Sequence, residues 1–242
     1  MSRPFARPLA ALFLIALVGK AAEPWEGEVR PFRQVDLAAP VSSRMVELKV
    51  HEGETVKAGQ PLAQLYARVE ELEMQRAKTL LERREFEAKG AKRLYDGKVI
   101  PEARALEAHT DLELARIQYE AAAEQVHLRT LRAPIDGLVV EVRRELGEAV
   151  SASQPVFRIL DLSRVYVQCA VKAEALANLL PGQKVAVRFP QAQGLQAMAG
   201  EIALVDPCAD ATGLFRVKVL VENPDRRLRA GLRALVEPPQ VP

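Results

Sequence analysis

The sequence predicts a mainly β chain split by an α-helical coiled-coil hairpin and followed by a small β-barrel. Three observations carry this reading. A 29-residue stretch at 37–65 recurs at 131–159 without a gap. The 65 residues between the two copies follow a helical apolar period. Beyond residue 163, short alternating runs return, separated by turn residues.

Residues 1–21 read as an export signal. Arg3 and Arg7 precede ten continuous apolar residues, Leu9 to Val18, and Gly19-Lys20-Ala21 offers small residues at a cleavage site. Ten helical residues span about 15 Å, half a hydrocarbon core, so a membrane-spanning anchor is not expected. No Cys follows Leu17-Val18-Gly19, which excludes a lipoprotein signal at that place. The expected location is the periplasm.

The repeat defines the first β-unit, residues 22–65 together with 131–162. Eleven of 29 aligned positions are identical, including Ala39/Ala133, Pro40/Pro134, Gly53/Gly147, Val56/Val150 and Pro61/Pro155. Each copy has an alternating strand (Val46, Leu48, Val50; Val140, Val142), a Gly-Glu turn and a second short strand. Neither copy has strands enough to bury an apolar face alone, so the two must pack together.

The insert, residues 66–130, reads as an antiparallel hairpin. Ala105, Ala108, Leu112, Ala115, Tyr119, Ala122 and Val126 alternate spacings of three and four, a coiled-coil seam. Met74, Ala77, Leu81, Ala88, Ala91 and Tyr95 form the facing seam, interrupted by Arg84. Asp96-Gly97 is a stop signal, and Pro101 suits the first turn of the returning helix. Arms of roughly 28 residues reach about 42 Å. A second stripe, Leu114, Ile117, Ala121, Leu128 and Leu131, lies off the seam and suits packing at the hairpin base or against a neighbouring subunit.

Residues 163–242 read as the barrel. Arg164–Val171 alternates, 172–180 suggests a short helix ended by Pro181-Gly182, and strands are expected at 184–189, 199–205, 214–222 and 231–237. Cys169 and Cys208, the only cysteines, both fall here. An exported protein permits a disulfide between them. Cys169 also shares alternation with Val165, Val167 and Val171, so a buried apolar role is the other reading.

The charge balance argues against nucleic acid. The formal charge is +2, but Arg3, Arg7 and Lys20 belong to the export signal; taking those three from 34 basic residues leaves 31 against 32 acidic ones. No general basic field remains for a phosphate backbone. His51, His109 and His127 are dispersed, Met74 and Met198 form no cluster, and no phosphate loop or Ser/His/Asp arrangement occurs. No enzyme activity, metal site or cofactor is expected.

The stretches APVSSRMVELKVHEGETVKAGQPLAQL, RAPIDGLVVEVRRELGEAV, LLPGQKVAVRF and NPDRRLRAGLRALVE, in this order, resemble the HlyD-like membrane fusion proteins, the periplasmic adaptors of tripartite efflux pumps. The resemblance covers about residues 35–237. It implies that the two halves form a lipoyl-like barrel-sandwich hybrid. It also implies a homo-oligomeric ring, an inner-membrane transporter of RND or ABC type, and an outer-membrane efflux channel as partners. About 13 residues separate the cleavage site from the first half-motif, little room for a membrane-proximal domain. A carrier role, as in lipoyl or biotinyl domains, needs a Lys in a short turn between the halves, and here that connection is the helical insert. An envelope scaffold without a transport role is the remaining alternative.

Adaptors of this kind that engage trumpet-shaped channels often have an Arg four residues before a Leu and a Ser seven after it, at the hairpin tip. Leu94 fits; Gly90 and Pro101 stand in the Arg and Ser places. Lys89, Lys92 and Arg93 could supply the charge, so Lys92, Arg93, Leu94 and Pro101 are the expected docking residues. The other reading of these bases is that they complement the dipole of a helix end.

Overall fold

A computed structural model describes residues 23–177, 179–192 and 197–239, so the export signal lies outside the described residues. In chain order the first elements are β1 (Trp25–Ala38), β2 (Ser43–Leu48), β3 (Thr55–Val56), β4 (Pro61–Leu65), α1 (Arg68–Asp96) and α2 (Glu102–His127). They are followed by β5 (Thr130–Arg132), β6 (Gly137–Val142), β7 (Ala149–Val150), β8 (Pro155–Val171) and α3 (Ala173–Leu176). The last are β9 (Lys184–Arg188), β10 (Met198–Ala209), β11 (Phe215–Glu222) and β12 (Arg233–Val236).

Two long strands form a spine. β1 and β8 pair antiparallel from Gly27↔Cys169 to Ala38↔Pro155, with a break in register between Pro31 and Arg33. Before the break they belong to the barrel. After it they belong to the module built from the repeat. The barrel closes as β1–β12–β9–β10–β11–β8 and back to β1, so its strands leave no open edge among themselves. The barrel expected over residues 163–242 thus also takes in the first part of β1. Trp25–Arg30 completes the ring, and Val29 is fully buried in its core with Val167, Ile202 and Val219. The helix expected over 172–180 is a single turn, Ala173–Leu176.

The module is a sandwich. β1, β8, β6 and β3 form one sheet, and β5, β4, β2 and β7 the other. Its core repeats the sequence repeat: Ala39 and Ala133, Met45 and Val139, Val56 and Val150, Leu62 and Val156, Ala63 and Phe157, Leu65 and Ile159 are all buried. The two halves also exchange hydrogen bonds reciprocally. Gly53 N–H donates to the Val139 carbonyl at 2.8 Å, and Gly147 N–H to the Met45 carbonyl at 2.9 Å. The Ala58 N–H donates to Asp136 Oδ1 at 2.7 Å, and the equivalent Ala152 N–H to Ser42 Oγ at 2.9 Å. Each half thus satisfies the turns of the other, which is why neither can stand alone.

Where spine meets barrel, Asn223 is a buried latch, 2% exposed. Its Nδ2 donates to the carbonyls of Leu162 (2.8 Å) and Leu228 (2.9 Å), and its Oδ1 accepts from the Leu228 N–H at 3.0 Å. Asn223 N–H also reaches the Ser163 carbonyl at 2.9 Å. The Leu162 and Ser163 carbonyls, just beyond the last β8–β11 pair, are satisfied in this way.

The hairpin rises from the second sheet. Ala77 and Ala115 are buried between the arms, flanked by half-buried Met74, Leu81, Ala88, Leu112, Tyr119 and Ala122. Arg84, the interruption in the seam, is answered across the hairpin by Asp111 at 3.0 Å and along its own helix by Glu87 at 2.8 Å. At the base, Arg129 pairs with Glu70, and the Leu65 N–H donates to the Arg129 carbonyl at 2.7 Å. Among the described residues no helix is long and apolar enough to cross a membrane.

Candidate functional site

The far end of the hairpin is built by a helix stop, a tight turn and a helix start. Three backbone bonds end α1: Gly97 N–H to the Arg93 carbonyl (3.1 Å), Lys98 N–H to Tyr95 (2.8 Å) and Val99 N–H to Leu94 (2.8 Å). This is a Schellman-type cap, but its left-handed residue is Lys98, φ 58°, while Gly97 sits at φ −79°. The six-to-one bond from Val99 to Leu94 puts the left-handed turn at Lys98, one residue past Gly97. Pro101 lies at φ −70°, ψ 154°, immediately before α2, and its carbonyl accepts from Arg104 N–H at 3.0 Å. Its ring fixes the backbone where the second helix must begin.

The four expected residues are brought together here. Leu94 is 47% exposed and Val99 70%, so this is an apolar knob facing outward. Lys92, Arg93, Lys98 and Pro101 are exposed in the same segment. Arg93 Nε donates to the Lys89 carbonyl at 3.3 Å, which keeps its charge beside the negative end of α1. Val99 and Lys98 were not singled out from sequence; the signal was their place beyond the end of both seams. The arrangement suits insertion of Leu94 and Val99 into an apolar groove, with cations meeting carboxylates on its rim.

The second stripe of α2 divides. Leu131 is buried in the module core, while Leu114 is 54% and Ile117 61% exposed. Packing at the base explains Leu131 and leaves Leu114 and Ile117 uncovered.

The remaining candidate residues form no joint site among the described residues. Cys169 and Cys208 do not bridge. The Cys169 side chain faces the barrel core, where burial pushes its thiol up to about 12, and Cys208 is exposed on the β10 bend. Both line a cleft of about 1110 Å³ at the barrel, with Glu26, Glu28, Asp206 and Asp210 among its walls. Three of those acids are already engaged. Glu28 pairs with Arg30 at 2.8 Å, Asp206 with Arg216 at 2.6 Å, and Asp210 holds Thr212 and Leu214 in its own turn. His51 lies beside Glu54 at 3.1 Å and His127 beside Glu124 at 3.8 Å. No group of three ligating side chains occurs among the described residues.

A sandwich and a closed barrel on one strand spine, with a two-helix rod ending in an apolar knob, define a protein that presents a surface at a distance. Residues 33–161 match the family model described as the CzcB-like barrel-sandwich hybrid domain, and residues 164–238 the CusB-like beta-barrel domain. The chain belongs to this family of membrane fusion proteins.

Among its relatives is the cobalt-zinc-cadmium resistance protein CzcB of Cupriavidus metallidurans, 26% identical over 243 residues, covering 90% of this chain and 45% of that protein. The macrolide export protein MacA of Yersinia pestis is 27% identical over 244 residues, covering 87% of this chain and 66% of that protein. The chain spans about half the length of the first of these. Among solved structures, a MacA–MexA chimera carrying the Pseudomonas aeruginosa MexA hairpin superimposes with TM-score 0.78 at 23% identity, covering 90% of this chain and 79% of that one. MacA from Actinobacillus actinomycetemcomitans gives TM-score 0.63 at 20% identity, with 88% and 76% covered. These structures share the fold.

Proposed function

We propose that the chain is a non-enzymatic periplasmic adaptor joining an inner-membrane efflux transporter, of RND or ABC type, to an outer-membrane channel. The observation that carries this is the pair of exposed apolar residues Leu94 and Val99 at the end of a long hairpin, with Lys92, Arg93 and Lys98 exposed in the same segment. At 1.5 Å per residue, the 29 residues of α1 hold the knob about 40 Å from the module. Membership of the membrane fusion protein family supports the same reading. In this role the chain is exported by residues 1–21, assembles into a homo-oligomeric ring, and needs no cofactor. Docking falls to Lys92, Arg93, Leu94 and Pro101.

The test is a photo-crosslinking residue at position 94 in the full chain, expressed in its own host. An outer-membrane channel is expected in the crosslink, and the same residue at position 49, on the module, should not capture it. Equal capture from both positions, or none from 94, removes the tip from the docking role. Deleting the gene should also abolish efflux of the transporter's substrate. Unchanged efflux would leave an envelope scaffold.

A further inference from the structure

The register break in the spine carries a feature that neither fold nor tip requires. Phe32 lies at the break, between Pro31↔Val165 and Arg33↔Asp161, and its ring packs on Tyr166 with centroids 5.5 Å apart. Three cations lie over this pair. The Arg164 guanidinium is 3.9 Å and that of Arg33 5.3 Å from the centre of the Phe32 ring. Lys218 Nζ is 5.5 Å from the centre of Tyr166. All lie on the outer face of β1, β8 and β11, where alternate residues Val165, Val167, Val217 and Val219 point into the core.

None of the three cations forms an ion pair among the described residues. The carboxylates nearby leave the two guanidiniums unanswered, although the charge of Lys218 reaches Asp206 and helps to lower its carboxyl. Asp161, opposite Arg33, accepts from the N–H and hydroxyl of Ser163. Asp206, on the adjoining strand, holds Arg216 and the Cys208 N–H. Glu222 is opposite Arg164 in register yet makes no ion pair with it. A guanidinium laid on an aromatic ring is held in place and keeps its N–H edge for an anion. Such pre-organisation reduces the ordering cost of binding.

We infer that this patch is a docking surface for an extended, carboxylate-rich segment of a partner protein. Position favours a segment over a lipid surface. The patch lies at the waist between the two β bodies, with the spine continuing about 20 Å to either side. A flat anionic bilayer would have to lie along both bodies to reach it. A single acidic strand laid across it would offer carboxylates to the three cations. The inference stands on the spine and barrel alone, independently of docking at the tip.

The experiment measures binding of fluorescein-labelled deca-glutamate to the full chain by anisotropy. A parallel arm uses sedimentation with vesicles about one-third phosphatidylglycerol. Arg164→Ala, Arg33→Ala and Phe32→Leu are each expected to weaken peptide binding about tenfold, the scale of one lost charged hydrogen bond. Arg188→Ala, which removes a cation paired with Glu237 on another strand, should leave binding unchanged. Melting curves check that the variants fold, and the exposed Arg33 keeps the test open if Phe32→Leu does not. No peptide binding, or equal weakening by Arg188→Ala, overturns the inference. So does patch-dependent binding of vesicles without binding of the peptide, which would assign the surface to lipid.

Discussion

Ser153 occupies in the second half-motif the position that Gly59 occupies in the first, and both hold a left-handed backbone, φ 65° and φ 82°. The N–H of each donates to the other half: Gly59 to the Ala133 carbonyl at 2.8 Å, Ser153 to the Ala39 carbonyl at 2.9 Å. The reciprocal bond fixes the conformation whatever residue stands there. A side chain in that region costs about 1–2 kcal/mol, and glycine loses back about 0.5–1 kcal/mol through its freer unfolded chain. Ser153→Gly is therefore expected to stabilise the protein by roughly 0.5–1 kcal/mol, read as a higher denaturant midpoint at unchanged slope. Gly59→Ala should do the reverse. Nothing lies within 4 Å of a Cβ built there, so its loss reports backbone strain alone.

Removing the latch should cost more. Asn223→Ala leaves the Leu162 and Leu228 carbonyls and the Leu228 N–H without their partner at a buried site. A loss of about 2–4 kcal/mol is expected. Asn223→Asp keeps the acceptor and removes both donors, so it should fall close to the alanine variant. A cost under about 0.5 kcal/mol, the range of ordinary surface changes, would show that the junction is held elsewhere.

At the tip, stability and function should separate. Leu94→Asp with Arg93→Glu alters only exposed side chains, so the melting temperature should hardly move while efflux-dependent resistance is lost. Leu112→Asp places a charge in the half-buried seam and should lower the melting temperature first. Full resistance in a folded tip variant would remove Leu94 from the docking surface.

Acid should weaken the module through Asp36. A hydrogen bond from Arg158 at 2.9 Å, helped by the charge of Arg143, holds its carboxyl below the ordinary carboxylate range. A depressed folded-state value means stability that is present above the unfolded carboxylate value and is lost as pH falls through the folded one. Asp36→Asn should therefore flatten the acid limb of the stability profile and lower stability near neutrality. An unchanged profile would show that the pair is fully screened at the surface.

Much of this was legible in the sequence, for physical reasons. A gapless repeat requires equivalent environments, and Met45/Val139 and Leu65/Ile159 are equivalent in the core. The seam was legible because helical spacing fixes which residues meet, down to Arg84 as its interruption. Strand β1 was not. Its apolar residues Trp25, Val29, Val35 and Leu37 hold a period of two, but Pro31 and the register break obscure it. A strand whose partners lie more than a hundred residues away gives no local signal. The waist patch escaped for the same reason, since Phe32 and Arg164 meet only through β1 and β8. At the tip, composition placed the turn, but the hydrogen bond from Val99 to Leu94 decided which residue turns.

The spine also sets the order in which the molecule can be made. β1 is the first strand described, and its partners β8 and β12 become available only after the hairpin and the second half-motif have begun. Such distant pairings are slow to form. The hairpin, by contrast, closes through contacts between neighbours in sequence, and in doing so it sets Leu65 beside Arg129. Closing a flexible loop of that length would cost about 4 kcal/mol of chain entropy, and the zipped helices supply the closure in advance. The rod that reaches outward in the finished protein is thus the splint on which the two half-motifs first meet. Weakening its seam should slow refolding more than it hastens unfolding.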